Sequence, residues 1–149
     1  MAIGEICNRE VVVVRAGTSV AGAARLMREH HVGDVVVVHE NGGRNEPVGI
    51  VTDRDLVVEV MAEGLDPATL TVGEIMGRTL ATVKEDTGVF EAIRYMRDSG
   101  VRRMPVVDEC GGLAGIVSLD DLLELLAEEM MYLSRLTQTE QTKEAGTRH

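Results

Sequence analysis

Two hydroxyl–acid pairs are the positions of this chain best equipped for chemistry. Thr52 is followed at the third residue by Asp55, and Ser118 by Asp121. Each pair closes a similar octet: Gly49-Ile50-Val51-Thr52-Asp53-Arg54-Asp55-Leu56 and Gly115-Ile116-Val117-Ser118-Leu119-Asp120-Asp121-Leu122. A Ser or Thr three residues before an acid, straight after an apolar run, has the spacing of a capping box at a helix start. There the hydroxyl satisfies an orphan backbone N–H, and the acid sits where the helix dipole favours negative charge. The same geometry has a second use. Free N–H groups at a helix start, with a hydroxyl, cradle a phosphate. A carboxylate one turn further in accepts hydrogen bonds from two ribose hydroxyls, as the acid of dinucleotide-binding folds does. Gly49 and Gly115, lacking side chains, would let a ring approach the backbone. The spacing alone fits both uses equally.

The octets belong to a longer internal repeat, which decides the fold class. Ile3-Gly4-Glu5-Ile6 matches Val72-Gly73-Glu74-Ile75, and Thr18, Val20, Ala23, Ala24 and Met27 match Thr87, Val89, Ala92, Ile93 and Met96. These pairs lie 69 residues apart, the octets 66, so the second copy has lost three residues between them. The difference is expected in the hairpin loop, Glu40 to Glu46 in copy one and Glu109 to Gly112 in copy two.

Each copy reads as strand, helix, strand, strand, helix. Val11 to Val14 is β-branched. Thr18 is placed to cap a helix with Val20, Ala23, Ala24 and Met27 on one face. Val32 to His39 scarcely alternates, as in a strand buried on both sides. Val48 to Val51 is the next strand. Thr52 opens a helix with Leu56, Val57 and Val60 inward, ended by Gly64. Copy two runs through Leu80 to Val83, Val89 to Met96, Val101 to Asp108 and Leu113 to Val117. Its last helix, about Leu119 to Leu136, carries a broad stripe of Leu122, Leu125, Leu126, Met130, Leu133 and Leu136. Such a helix could simply cover its own domain, but a stripe of that length exceeds what one small half-domain covers and favours a homodimer contact. Expected boundaries are residues 1–66 and 67–136 for the repeats, with a frayed polar tail over 137–149.

Composition narrows the function. Apolar residues make up 44% and aromatics 2%, so the core is aliphatic. A net charge of −10 and so few stacking rings disfavour nucleic acid and anionic membrane. No apolar run has the length of a membrane span, and no signal peptide is visible at the N-terminus. Cys7 and Cys110 occupy unrelated positions in the two copies, as unbridged thiols of a reducing cytoplasm would.

The duplicated plan, with each copy ending in Gly-apolar-Val-Thr/Ser-x-x-Asp, resembles a tandem pair of cystathionine-β-synthase (CBS) domains, a Bateman module. The resemblance covers about Ile3 to Leu126. It implies an α/β (α+β) fold: two β-α-β-β-α repeats related by pseudo-twofold symmetry, with small sheets packed against helices. It also implies clefts between the repeats for adenosine-containing ligands such as AMP, ADP, ATP, NAD or S-adenosylmethionine. By matching positions, Asp55 and Asp121 hold ribose, and Thr52 and Ser118 lie near phosphate. Val101-Arg102-Arg103-Met104-Pro105-Val106-Val107-Asp108 is similar to the family's basic strand entry. There Arg102 and Arg103 face phosphate, and backbone near Met104 and Pro105 meets adenine. Two guanidiniums in an acidic chain suit an anion, although pairing with neighbouring acids accounts for them equally well.

Copy one departs from this pattern. Gly33 and Asp34 replace the arginines, and Val36 replaces the proline. The clefts are therefore expected to be unequal, with Arg102 and Arg103 able to serve either one. His30, His31, Asp34 and His39 lack the spacing of metal ligands. No nucleophile, base and orienting group stand together. Gly42-Gly43 and Gly111-Gly112 are turns, because no Gly-Lys-Ser/Thr follows. The expectation is a cytoplasmic, non-catalytic regulatory sensor that takes an adenine nucleotide as regulatory ligand, with no obligatory cofactor and no metal. It would act as a homodimer and signal to a protein partner in trans. The alternative is an interaction module with degenerate clefts.

Overall fold

The computed structural model describes residues 1–147 of the chain. They fall into two compact bodies, residues 1–117 and residues 118 onward. The first body holds two three-stranded sheets, ordered β1-β2-β3 and β4-β5-β6.

In copy one, β1 (Val13–Val14) runs parallel to β2 (Asp34–Asn41), which pairs antiparallel with β3 (Arg44–Thr52). Val35 to Val38 are all buried, which explains their lack of alternation. Between β1 and β2 lies α1 (Val20–His30), with Val20, Ala23 and Met27 buried. Its cap is Ser19, whose hydroxyl accepts from Gly22 N–H at 3.0 Å, and not the expected Thr18. The Thr18 carbonyl is instead bonded by Val72 N–H from copy two. His31 ends α1 in the left-handed region at φ 54°, and its counterpart Gly100 does the same at 66°. The cap geometry is thus shared, although only glycine adopts it without strain.

The three extra residues of copy one do not lengthen its hairpin loop. They extend the strands, so that only Gly42 and Gly43, both at positive φ, turn the chain between Asn41 and Arg44. After β3 comes α2 (Asp53–Asp55), which continues as a π-helical turn over Leu56–Met61. That turn rotates the expected inward face: Val60 is buried, but Val57 is exposed.

Copy two supplies α3 (Val72–Ile75), β4 (Val83–Lys84), α4 (Val89–Ser99), β5 (Arg103–Val107) and β6 (Leu113–Ser118). Its hairpin is tied by Asp108, whose Oδ1 accepts from the N–H groups of Cys110 and Gly112.

The copies exchange their leading segments. Ile3 N–H bonds Thr87 O and Gly4 N–H bonds Glu85 O; in return Val72 N–H bonds Thr18 O and Gly73 N–H bonds Ala16 O. The core around Val14, Ala23, Met27, Val35, Val37 and Val51 is accordingly completed by Val72 of copy two, with Ile75 and Met76 against it. Ile3, fully buried, is the counterpart of Val72.

The second body is α5 (Leu119–Thr147), which reaches well past the expected end at Leu136. The polar tail is helical through Thr147, and Thr139 and Thr142 hydroxyls donate to the carbonyls of Arg135 and Gln138 one turn back. Arg148 and His149 lie outside the described residues.

Candidate ligand-binding site

Both hydroxyl–acid pairs form complete capping boxes. Thr52 N–H donates to Asp55 Oδ2 at 2.8 Å, and Asp55 N–H donates to Thr52 Oγ1 at 3.2 Å. Ser118 and Asp121 repeat this at 3.1 and 3.2 Å. Strand β3 ends at Thr52 because register pairs it with Asp34, and the box turns the chain into α2 there. Each acid spends one carboxylate oxygen on the cap. Among the described residues, Asp55 Oδ1 and Asp121 Oδ1 accept no hydrogen bond. Each Thr or Ser hydroxyl accepts from the acid's N–H and keeps its own proton to donate.

The expected phosphate cradle is not available at α2, because its donors are already used. Asp53 N–H bonds Gly33 O at 2.9 Å, and Arg54 N–H bonds Asp53 Oδ1 at 2.8 Å. With Thr52 and Asp55 N–H closed in the box, the first turn has none left for an anion. The sequence shows the helix start but not the Gly33 carbonyl that occupies it.

Gly49 and Gly115 serve a closer approach than that of a ring. A Cβ on Gly49 would lie 2.5 Å from Met76 Sδ, and one on Gly115 would lie 2.6 Å from Cys7 Sγ and 2.8 Å from Asn8 O. Met76 and Cys7 occupy equivalent places in the two leading segments, 69 residues apart. The glycines therefore seat the exchanged segments.

Arg102 is exposed, whereas Arg103 crosses between the copies: its Nη1 donates to Asp34 Oδ2 at 2.6 Å. The side chains are 32% and 23% exposed, so the pair is only partly screened by solvent. This explains how copy one tolerates an acid at that position: the arginine of copy two neutralises it. Met104 and Pro105 are fully buried, backbone as well as side chain. Proline also removes a donor. In copy one Val36 N–H bonds Val12 O at 2.9 Å; Pro105, its counterpart, cannot bond the equivalent carbonyl of Ala81. Sequence reasoning missed that carbonyl, although the proline signals it.

A groove of about 490 Å³ opens in copy one, lined by Glu10, Val11, Val12, Val13, Leu26, His30 and Val32. Its volume lies in the range of small-molecule sites. None of the capping-box residues lines it. A second cavity of about 320 Å³ is lined by Lys84, Glu85, Asp86, Asp108, Glu109 and Cys110, none of them an expected site residue. Neither Cys7 nor Cys110 forms a disulfide. Among the described residues no group of three metal-ligating side chains converges, and no helix is long and apolar enough to cross a membrane.

A duplicated α/β unit with exchanged leading segments and twin capping boxes defines a tandem-repeat module. The chain belongs to the CBS domain family, whose profile matches residues 3–62 and again 72–128. It is 40% identical over 125 residues to an uncharacterized protein of Methanopyrus kandleri, MK0525, covering 84% of this chain and 62% of that one. The CBS domain pair of protein MJ0100, solved with 5′-methylthioadenosine and S-adenosyl-L-methionine, superposes with a TM-score of 0.74 at 26% identity, over 87% of this chain and 98% of that one. The cytosolic domain of the Mg2+ channel MgtE, solved with ATP, gives 0.70 at 34% identity, over 83% of this chain and 48% of that one.

Proposed function

We propose that this chain is a non-catalytic regulatory module that binds an adenosine-containing ligand between its repeats and passes the change to a partner protein. The observation that carries the reading is the twin box, in which an acid is held rigidly by the cap while its second oxygen stays open. Asp55 and Asp121 would each use Oδ1 to accept a ribose hydroxyl, and Thr52 and Ser118 would donate their hydroxyl protons. The Ala81 carbonyl, left without its strand partner by Pro105, would meet the base; contacts to the backbone at Gly49, Gly115, Met104 and Pro105 would require the packing there to open. Phosphate, where the ligand has one, would depend on Arg102 and Arg103, because the α2 donors are used. The 5′-methylthioadenosine and S-adenosylmethionine of MJ0100 and the ATP of the MgtE domain support an adenosine-type ligand; AMP, ADP and NAD belong to the same proposed class. The work would take place in the cytoplasm.

A homodimer accompanies this reading. Met130, Leu133 and Leu136 of α5 are 70%, 66% and 63% exposed, more apolar surface than one helix leaves open without a partner. The same stripe favours a second reading, an interaction module whose clefts bind nothing.

Thermal shift separates the two. A ligand at one hundred times its Kd adds about 2.7 kcal/mol, roughly 5–11 °C at this size. No shift with AMP, ATP, NAD or S-adenosylmethionine would leave the interaction module. Asp55→Ala and Asp121→Ala then test the ribose contact. Each should cost about 1 kcal/mol as a lost cap and also weaken binding by at least ten-fold. Lost stability with full affinity would reduce both acids to caps.

A further inference from the structure

We infer that the Asp34–Arg103 pair determines which repeat joins which: it favours the union of unlike repeats and rejects the union of like repeats from two chains. The two residues occupy the same position of the repeat, 69 residues apart. The ion pair therefore sits where the copies meet themselves in equivalent places. Most of the backbone junction is indifferent to which copy it meets; the exceptions are the Asn8–Ile116 bridge and the Arg9–Glu85 contact, whose side chains are largely open to solvent at 3.6 Å and so worth little. Ile3 N–H to Thr87 O has its image in Val72 N–H to Thr18 O, and Gly4 N–H to Glu85 O has its image in Gly73 N–H to Ala16 O. The isolated bridge between Ala2 and Gly88 is likewise mirrored by that between Ser19 and Thr71.

Backbone bonds carry no sequence information. Repeat one of one molecule could offer the same donors to repeat one of another, with Ile3 bonding the partner's Thr18. The glycine seats are equally permissive, since Gly49 accepts Met76 and Gly115 accepts Cys7. A duplicated fold with exchanged segments is thus open to swapping between molecules.

At the ion pair the choices differ in sign. Unlike repeats place a guanidinium against a carboxylate at 2.6 Å, partly shielded from water. Two copies of repeat one would place Asp34 against Asp34, and two of repeat two would place Arg103 against Arg103. Like charges at that distance repel and lose their hydrogen bond together. Attachment within one chain then favours the intramolecular version of the unlike union.

The test uses two full-length variants, Asp34→Arg and Arg103→Asp. Each puts like charges at the junction, so each should melt several degrees below the parent, with a deficit that shrinks as salt is raised. The double variant Asp34→Arg/Arg103→Asp restores opposite charges and should regain most of the loss. The single variants are also complementary to each other in trans. When refolded together with distinguishable isotope labels, each also carrying Leu133→Glu to remove the proposed α5 contact, they should form mixed dimers well above the random two-to-one ratio over either homodimer, by native mass spectrometry. Labelled parent chains, refolded as a control, should show no such excess. A single variant that fails to fold alone leaves the double variant and the co-refolding to decide. A double variant no more stable than its singles predict together, or mixed dimers at the random ratio, would overturn the inference.

Discussion

Adding one methyl group at each octet glycine should have unequal consequences, although the two positions are equivalent in sequence. Neither Gly49 nor Gly115 has positive φ, so alanine is allowed at both. Removing glycine's extra freedom in the unfolded chain returns about 0.4–1 kcal/mol in each case. Contact with the exchanged segment sets the difference. At Gly49 the new Cβ meets Met76 Sδ at 2.5 Å and Met76 Cβ at 3.1 Å. The sulfur is near the end of a flexible side chain that can turn aside. At Gly115 it meets Cys7 Sγ at 2.6 Å and the Asn8 carbonyl at 2.8 Å. That carbonyl cannot retreat cheaply, because Ile116 N–H bonds Asn8 O at 2.8 Å and Asn8 N–H bonds Ile116 O at 2.9 Å. Overpacking costs about 1–3 kcal/mol. After the entropy gain, Gly115→Ala should lose about 1–2 kcal/mol, whereas Gly49→Ala should lie within about 0.5 kcal/mol of the parent. At about 2–4 °C per kcal/mol for a chain of this size, Gly115→Ala should melt roughly 2–8 °C lower by circular dichroism and Gly49→Ala within about 2 °C. Adding Cys7→Ala to Gly115→Ala should recover only part of the loss, because the carbonyl remains. Equal losses at both glycines, or a parental melting temperature for Gly115→Ala, would refute the seating of the exchanged segments.

Two further outcomes concern α5. The Tyr132 hydroxyl donates to Glu128 Oε1 at 3.1 Å. That bond, and then the charge of Glu128, push the phenol's pKa up from 10.0. Because the folded value is the higher one, the contact stabilises the helix below the unfolded phenol's pKa and is lost as pH climbs through the raised value. Glu128→Gln should move one of the two tyrosine transitions in a near-ultraviolet titration to lower pH, and an unchanged titration curve would rule the bond out. Leu133→Glu should convert a dimer to a monomer by light scattering while leaving the melting of residues 1–117 in place; an unaltered mass would exclude the α5 stripe as the contact.

Much of this structure could be read from pattern, and the misses have physical causes. The repeat, the β-branched buried strand over Val35 to Val38 and the hydroxyl–acid boxes are local signals, each written within a few residues. Some of what escaped was set by partners distant in the chain and some by helix geometry that spacing does not reveal. Thr18 has the chemistry of a cap, but Ser19 takes that role because the helix starts one residue later, at Val20. Val57 has the spacing of an inward residue, but the π-helical turn from Leu56 changes which residues face the core. The α2 start has the form of an anion site, but Gly33 O fills one of its donors. The polar tail lacks an apolar face and so looked frayed. Its Glu, Gln and Lys are good helix formers, and an already nucleated helix extends at little cost per residue.

The divergence of the two repeats then falls into two kinds. Positions that make the exchange possible were kept: Ile3 with Val72, Gly4 with Gly73, and Gly49 with Gly115. Positions with polar consequences moved apart in complementary ways. Arginine stands opposite aspartate where the copies meet, so an acid that would expel an anion from copy one is neutralised by the base that copy two contributes. Proline stands opposite valine one strand step on, so one copy closes a carbonyl that the other cannot bond. Neither change is readable as a property of its own half. An Asp34→Asn variant would make copy one more hospitable to phosphate, yet it would also free Arg103 from its only bonded carboxylate among the described residues. If the chain binds an anion as proposed, its affinity would be a property of the joined repeats, and a substitution on one side should change binding on the other.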